Sequence, residues 1–223
     1  MRNRKITKIL IANRGEIALR IIRTAHEMGI STVAVYSETD VVAPHVLDAD
    51  EAVCLGPGPS SESYLLADKV LKAAIDTGAN GIHPGYGFLS ENADFAEQVE
   101  KAGVAFIGPG TMAIRTMGDK LQAKEAVKAR NIPLVPGTDG AISDAKEAWK
   151  EAQRIGMPLI IKASAGGGGK GMRSVFNIED VEEELTRAIS EAERSFGNGA
   201  VFMERLVLQP RHIEVQVLAD MHG

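Results

Sequence analysis

The strongest constraint on the fold is a switch of hydrophobic period that recurs along the first half of the chain. Ile6–Ala12 is a short apolar run, and beyond Gly15 the residues Ile17, Ala18, Ile21, Ile22 and Ala25 recur at helical spacing until Met28-Gly29. Thr32–Tyr36 and Glu51–Leu55 read as strands, the second closed by Gly56-Pro57-Gly58-Pro59. Ser63–Ile75 is predicted helical, Gly81–His83 a strand end, Glu91–Lys101 a helix and Val104–Ile107 a further strand. Strands alternating with helices of about ten to fifteen residues need crossover connections and so a mostly parallel sheet. Residues 1–117 are therefore expected to form one doubly wound α/β domain.

Beyond Gly118 the rhythm changes. Asp119–Ala129 and Asp144–Ile155 read as helices, separated by Pro133, Pro136 and Gly137. Leu159–Lys162 and Met172–Phe176 read as strands on either side of a glycine loop, Ser164–Gly171, with a helix over Ile178–Ser195. In Arg211–Leu218, His212, Glu214 and Gln216 alternate with Ile213, Val215 and Val217, the period of a half-buried strand, and Asp220-Met221-His222-Gly223 resembles a hairpin turn. A strand with no partner after it leaves an open ladder, so residues 118–223 are expected to be a partial domain of a longer protein.

Composition narrows the functional classes. A formal charge of −5 and an aromatic content of 4% argue against a nucleic-acid surface or a base-stacking platform. One cysteine, Cys54, excludes an intrachain disulfide and fits a reducing compartment. No run approaches 18 apolar residues, so no membrane span is expected. The basic start, Met1–Lys8, is followed by an apolar stretch too short for a signal peptide, which makes the cytoplasm the expected location.

Three glycine-bearing segments compete as ligand sites. Asn13-Arg14-Gly15-Glu16-Ile17-Ala18 is a degraded dinucleotide fingerprint, with Glu38 or Asp40 as its acidic partner. Arg14 and Glu16 would crowd a pyrophosphate, so a structural turn is favoured. His83-Pro84-Gly85-Tyr86-Gly87-Phe88-Leu89-Ser90-Glu91-Asn92 describes a loop of special shape at a strand's carboxyl end, where open α/β sheets bind ligands. The alternative there is a rigid turn with His83 hydrogen-bonded and Ser90 capping the next helix. In Lys162–Arg173 five residues are glycine, four consecutive, between Lys162 and Lys170. Bare backbone amides flanked by ammonium groups suit polyphosphate oxygens. Gly171 stands where a P-loop needs Ser or Thr, and a strand rather than a helix follows, so this is not a P-loop.

Taken together, Asn13–Ala18, His83–Glu91, Met117-Gly118-Asp119-Lys120, the tetraglycine loop with Gly171-Met172-Arg173, and Arg211-His212-Ile213-Glu214-Val215-Gln216-Val217 resemble biotin carboxylases, in the family's order and over nearly the whole chain. The resemblance implies a pre-ATP-grasp α/β domain followed by an incomplete α+β ATP-grasp domain. It implies a ligase that uses ATP, Mg2+ and bicarbonate to carboxylate biotin on a carrier protein, as in the acetyl-CoA carboxylase of fatty acid biosynthesis. By the family pattern Lys120 and Lys162 contact ATP, and Gly168 and Gly169 lie in the lid. Met172 packs on adenine, while Glu204, Arg205 and Val207 form the hinge that reads its edge. His212 reaches the ribose or phosphates beside Glu214, a candidate catalytic group, and Tyr86 and Gly87 lie near biotin. The family's magnesium ligands, bicarbonate residue and general base lie beyond these 223 residues, so no metal site and no independent turnover are expected of them. The resemblance also implies a homodimer through Arg20, Arg23 and Glu27 of the first helix, a biotin carboxyl carrier and a carboxyltransferase as partners. Glu16–Arg20 and Arg23–Glu27 also read as plain i,i+4 pairs. Carbamoyl-phosphate synthetase and glycinamide ribonucleotide synthetase share the architecture without this set of motifs. A non-catalytic folding or dimerisation module and a split subunit are the remaining alternatives, and a nicotinamide oxidoreductase lacks hydride-transfer residues.

Overall fold

In β1 (Lys8–Ile11), alternate residues face opposite layers of the molecule. Ile9 and Ile11 pack with Ala18, Ile22 and Ala25 of α1 (Gly15–Glu27), and Leu10 packs in a second cluster with Val70, Ala74, Phe95 and Val99. A strand buried on both faces is what a parallel sheet between two helical layers requires. The chain continues through β2 (Ser31–Ser37), α2 (Pro44–Asp48), β3 (Glu51–Gly56), α3 (Ala67–Asp76), β4 (Gly81–His83), α4 (Ala93–Lys101) and β5 (Ala105–Phe106). The computed structural model, which describes residues 5–164 and 172–220, orders these strands β3-β2-β1-β4-β5, all parallel. The doubly wound reading of the sequence holds.

The second half comprises α5 (Thr111–Gly118), α6 (Lys120–Lys128), α7 (Ala145–Ile155), β6 (Leu159–Ala163), β7 (Met172–Val175), α8 (Val181–Phe196) and β8 (Val201–Arg205). The three strands form an antiparallel sheet ordered β7-β6-β8. Leu159, Ile161, Ala163, Val201 and Met203 bury one face against Ala148 and Ala152 of α7 and Leu185, Ala188 and Ala192 of α8. The other face carries Ile160, Lys162, Met172, Phe202 and Glu204, because residues paired directly across an antiparallel ladder share a face. The chain divides into compact units at Arg115/Thr116.

Several expectations need correction. Ser63–Ile75 is not one helix: a single 3-10 turn at Ser60–Glu62 precedes α3, which starts at Ala67. Tyr64 turns inward between them, where its hydroxyl meets Asp40 at 2.5 Å, and that contact holds the backbone out of the helix. The cap of α4 is Asn92, whose Oδ1 accepts the Phe95 N–H at 2.9 Å, not Ser90. Arg211–Leu218 is not a strand: no helix or strand forms from Leu206 to Asp220, and Ile213, Val215, Val217 and Leu218 are exposed. Alternation supplies a strand's side-chain pattern but not the neighbouring backbone that a ladder needs.

Candidate functional site

At the carboxyl edge of the parallel sheet, the two glycine motifs of the first domain are tied to each other. Asn13 is buried and its Nδ2 donates to the carbonyls of Pro84 and Tyr86, both at 2.8 Å, while Oδ1 accepts the Arg14 N–H at 2.9 Å. Gly85 must be glycine: its φ is +65°, and a Cβ there would lie 2.8 Å from Asn13 Nδ2. His83 Nδ1 accepts the Gly85 N–H at 3.0 Å, and burial pushes the imidazole below its ordinary value, so the neutral ring is a structural acceptor. Phe88, at φ +44°, stacks on Tyr64 with ring centroids 5.4 Å apart. The clamp leaves Tyr86 65% exposed at the loop tip, free to meet a ligand.

In the degraded fingerprint one acidic candidate is already engaged within the protein. Asp40, one of the two acidic candidates, accepts from Arg14 Nε at 2.7 Å and Arg14 Nη2 at 2.5 Å as well as from Tyr64. The Arg14 guanidinium, helped by Tyr64 and Ser37, holds the Asp40 carboxyl well below its usual range although burial acts the other way. Most of these contacts fall on Oδ2, and together they fix the carboxylate within the protein. The first turn is structural.

The charged site of the second unit lies on the second face of the antiparallel sheet, where Phe202 is buried and α6 contributes lysines. Lys162 of β6 and Glu204 of β8 sit diagonally across the ladder, with Nζ and Oε2 2.8 Å apart. From α6, Lys124 Nζ reaches Glu204 Oε1 at 3.1 Å and lies 5.1 Å from the Phe202 ring centroid, a cation–π contact. Lys120 Nζ donates to the Ala163 carbonyl at 3.1 Å. Asp119 caps α6 by accepting the N–H groups of Leu121 and Gln122, which places Lys120 and Lys124 one turn apart on one helix face. Burial pushes the Lys120 ammonium below its ordinary value, and the charge of Lys162 adds to that. Burial alone would raise the Glu204 carboxyl, but the hydrogen bonds from Lys162 and Lys124 outweigh it and hold it down. Three ammonium groups against one carboxylate leave this face net positive, which favours a polyanion.

The other residues singled out by motif distribute unevenly. Met172 is the cross-strand partner of Lys162 and half exposed beside it. Arg205 points elsewhere: its Nε donates to the Ile155 carbonyl at the end of α7, 3.1 Å away, so only its backbone stays near the hinge. Val207 is exposed beyond β8. His212 and Glu214 are exposed and paired with each other at 2.9 Å, away from any strand face. Gly168 and Gly169 lie outside the described residues, and with them the lid. What the described part does show is that β6 and β7 are antiparallel neighbours on either side of it, a hairpin and not a P-loop. Lys124 was missed by motif reading, although its i,i+4 spacing from Lys120 was visible. Among the described residues no group of three His, Cys, Asp or Glu side chains could hold a metal. Glu204, the carboxylate on this face among the described residues, is already shared by two lysines.

A parallel α/β unit followed by a three-stranded antiparallel sheet is the order of elements that the biotin carboxylase resemblance implies. Comparison with known proteins agrees. Residues 5–114 match the biotin carboxylase N-terminal domain, and residues 119–223 match the ATP-binding domain of the carbamoyl-phosphate synthase L chain. The biotin carboxylase of Haemophilus influenzae is 55% identical over 98% of this chain and 49% of its own. Among solved structures, a biotin carboxylase–βγ-ATP complex from Campylobacter jejuni superimposes with a TM-score of 0.90 at 48% identity, over 93% of this chain and 46% of the other. The biotin carboxylase domain dimer of the Hydrogenobacter thermophilus 2-oxoglutarate carboxylase, in complex with MgADP, ADP and bicarbonate, gives 0.87 at 45% identity, over 92% and 45%. The chain belongs to the biotin carboxylase family. It spans about half the length of these relatives.

Proposed function

We propose that this chain binds ATP for a biotin carboxylase, in which bicarbonate is activated at the expense of ATP and its carboxyl group passes to biotin on a carrier protein. The observation that carries the reading is the lysine cluster beside the antiparallel sheet, where Lys162 and Lys124 pair with Glu204 and Lys120 bonds the Ala163 carbonyl. Phosphoryl transfer asks the protein mainly to position the phosphates and neutralise their charge, and the ammonium groups of Lys162 on β6 and Lys120 on α6 supply charge for this. The residues assigned to ATP are Lys120, Lys162, Met172, Glu204, Val207 and the backbone of Arg205, with Gly168 and Gly169 as lid and His212 brought in by residues beyond the described site. Tyr86 and Gly87, on the loop that Asn13 clamps, are assigned to the biotin side. Magnesium would supply charge neutralisation at the phosphates, and Glu204, shared by two lysines, is not assigned to it. The 223 residues by themselves bind nucleotide without turning it over.

Isothermal titration of the chain with ATP tests this. Binding in the submillimolar to millimolar range is expected, and Lys162→Ala is expected to weaken it by about tenfold, the loss of one charge-assisted phosphate contact. No heat at millimolar ATP overturns the assignment.

The partners follow the same reading: a biotin carboxyl carrier, a carboxyltransferase and a second copy of the chain, all in the cytoplasm, where exposed Cys54 stays reduced. Among the described residues no helix is long and apolar enough to cross a membrane. The dimer is assigned to the exposed side of α1. Arg20 there lines an apolar cavity of about 540 Å3 with Ile6, Ile17, Ile21 and Ile107. Arg20 donates to Thr24 and Arg23 lies 3.6 Å from Asp48, pairings other than the i,i+4 ones read from the sequence. Arg23→Glu is expected to shift sedimentation toward monomer, and an unchanged mass removes Arg23 from the interface.

A further inference from the structure

Lys162 and Lys124 both bind Glu204, but they are held very differently. Besides Glu204, Lys124 Nζ lies against the Phe202 ring at 5.1 Å and 3.4 Å from the Thr138 carbonyl, and it fills the space above Gly137, where a Cβ would come within 3.1 Å of it. Its side chain is 19% exposed. Among the described residues Lys162 is paired with Glu204 at 2.8 Å, and it lies opposite Met172 across the β6–β7 ladder. Glu204 is itself only 15% exposed, so it cannot be left without a cation cheaply. If nucleotide phosphates are to take Lys162, something else must keep Glu204 compensated.

We propose that Lys124 is the standing counter-ion of Glu204, and that its presence releases Lys162 to swing from Glu204 to the phosphates of a bound nucleotide. Lys124 is thus a positioning residue that never touches the ligand. The groups facing Glu204 from the packed elements are Lys124 and Lys120 of α6, Lys162 of β6 and the Gly137 backbone, and of the three lysines Lys124 is the one anchored on three further sides. Lys120 is engaged with the Ala163 carbonyl and repelled by Lys162, which makes it a poor substitute. The proposal rests on the nucleotide reading above.

The test is a double-mutant cycle on the 223-residue chain with ADP as the probe, followed by titration calorimetry or by NMR shifts. Lys124→Met, with Lys124→Gln as a second variant should the first not fold, is expected to raise the ADP Kd about tenfold, a coupling within the range of contacting charges. In a Glu204→Gln background, where no carboxylate needs the cation, the same change is expected to alter Kd less than about twofold. Lys124→Arg is expected to restore binding, which a purely steric role at this crowded position would not allow. As a ligand-free check, the Glu204 carboxyl resonance is expected to titrate at higher pH in Lys124→Met. Equal losses from Lys124→Met with and without Glu204 overturn the proposal while leaving nucleotide binding in place. Absence of ADP binding by the wild-type chain overturns the nucleotide reading and this proposal with it.

Discussion

Asp40→Ala is expected to cost the first unit about 2–4 kcal/mol of unfolding free energy, because it leaves a buried hydroxyl and a partly desolvated guanidinium without their acceptor. The larger share comes from the interior side. Tyr64 is 3% exposed and donates to Asp40 at 2.5 Å, and Ser37 Oγ adds a bond at 3.3 Å. Arg14 is 47% exposed, so its freed charge is hydrated and contributes less. The same substitution releases Tyr64 from its inward position and with it the stack that supports Phe88 in the left-handed region. The Asp40 carboxyl is held below its ordinary 3.8, chiefly by Arg14. Between the folded value and that ordinary value the unfolded chain therefore binds more protons than the folded one, so stability rises with pH there and declines as the solution is acidified. The Asp40 contribution is complete above its unfolded value and is lost as pH drops toward the folded one. Amide exchange in β1 and β2, which reports this unit alone, should show the wild-type advantage at neutral pH and a smaller one near about pH 3. An advantage that does not shrink in acid removes the ion pair from the account.

Gly137→Ala is expected to destabilise the second unit by about 1–3 kcal/mol, the range for forcing an atom into a packed site, and to abolish nucleotide binding as well. A Cβ on Gly137 would lie 2.6 Å from the Met203 carbonyl oxygen and 3.0 Å from Glu204 Cγ, both in β8. The backbone cannot retreat freely there. Thr138 N–H donates to that same carbonyl at 2.8 Å, and the Arg205 N–H donates to Pro136 at 2.8 Å, so the two segments are bonded on both sides of the clash. Relief must come from a shift of β8, which carries Glu204 away from Lys162 and Lys124. Faster exchange confined to β6 and β8 together with lost ADP binding is the expected result. Normal exchange with unchanged affinity would show that the close approach of Gly137 to β8 has no role in the site.

Much of the site was legible because chemistry here follows local pattern. The glycine run between two β segments reads as a hairpin-like arrangement, and β6 and β7 on its two sides are antiparallel neighbours. Lys162 and Glu204 were chosen through the family resemblance, and their 2.8 Å contact depends on the β6–β8 register, which nothing in either segment alone specifies. Arg205 shows the opposite failure. Its place in the hinge motif suggested a ligand contact, while one step along β8 reverses the face and sends its side chain to the end of α7. The tail from Arg211 to Leu218 has a strand's alternation and no strand, because pattern prepares a face but a partner makes the ladder.

By itself the sequence determined the alternation of strands and helices in the doubly wound first unit and the two strands that flank the glycine run. Each of these follows from periodicities and backbone freedoms that act over a few residues. Only the tertiary structure decided that Asp40 is consumed by Arg14 and Tyr64, that Asn13 clamps the loop beyond β4, and that Lys124 shares Glu204 with Lys162. Those pairings join residues 24 to 80 positions apart in the chain. Which charged or polar groups meet at such separations is set by strand order and register, and no local property of the chain carries that information.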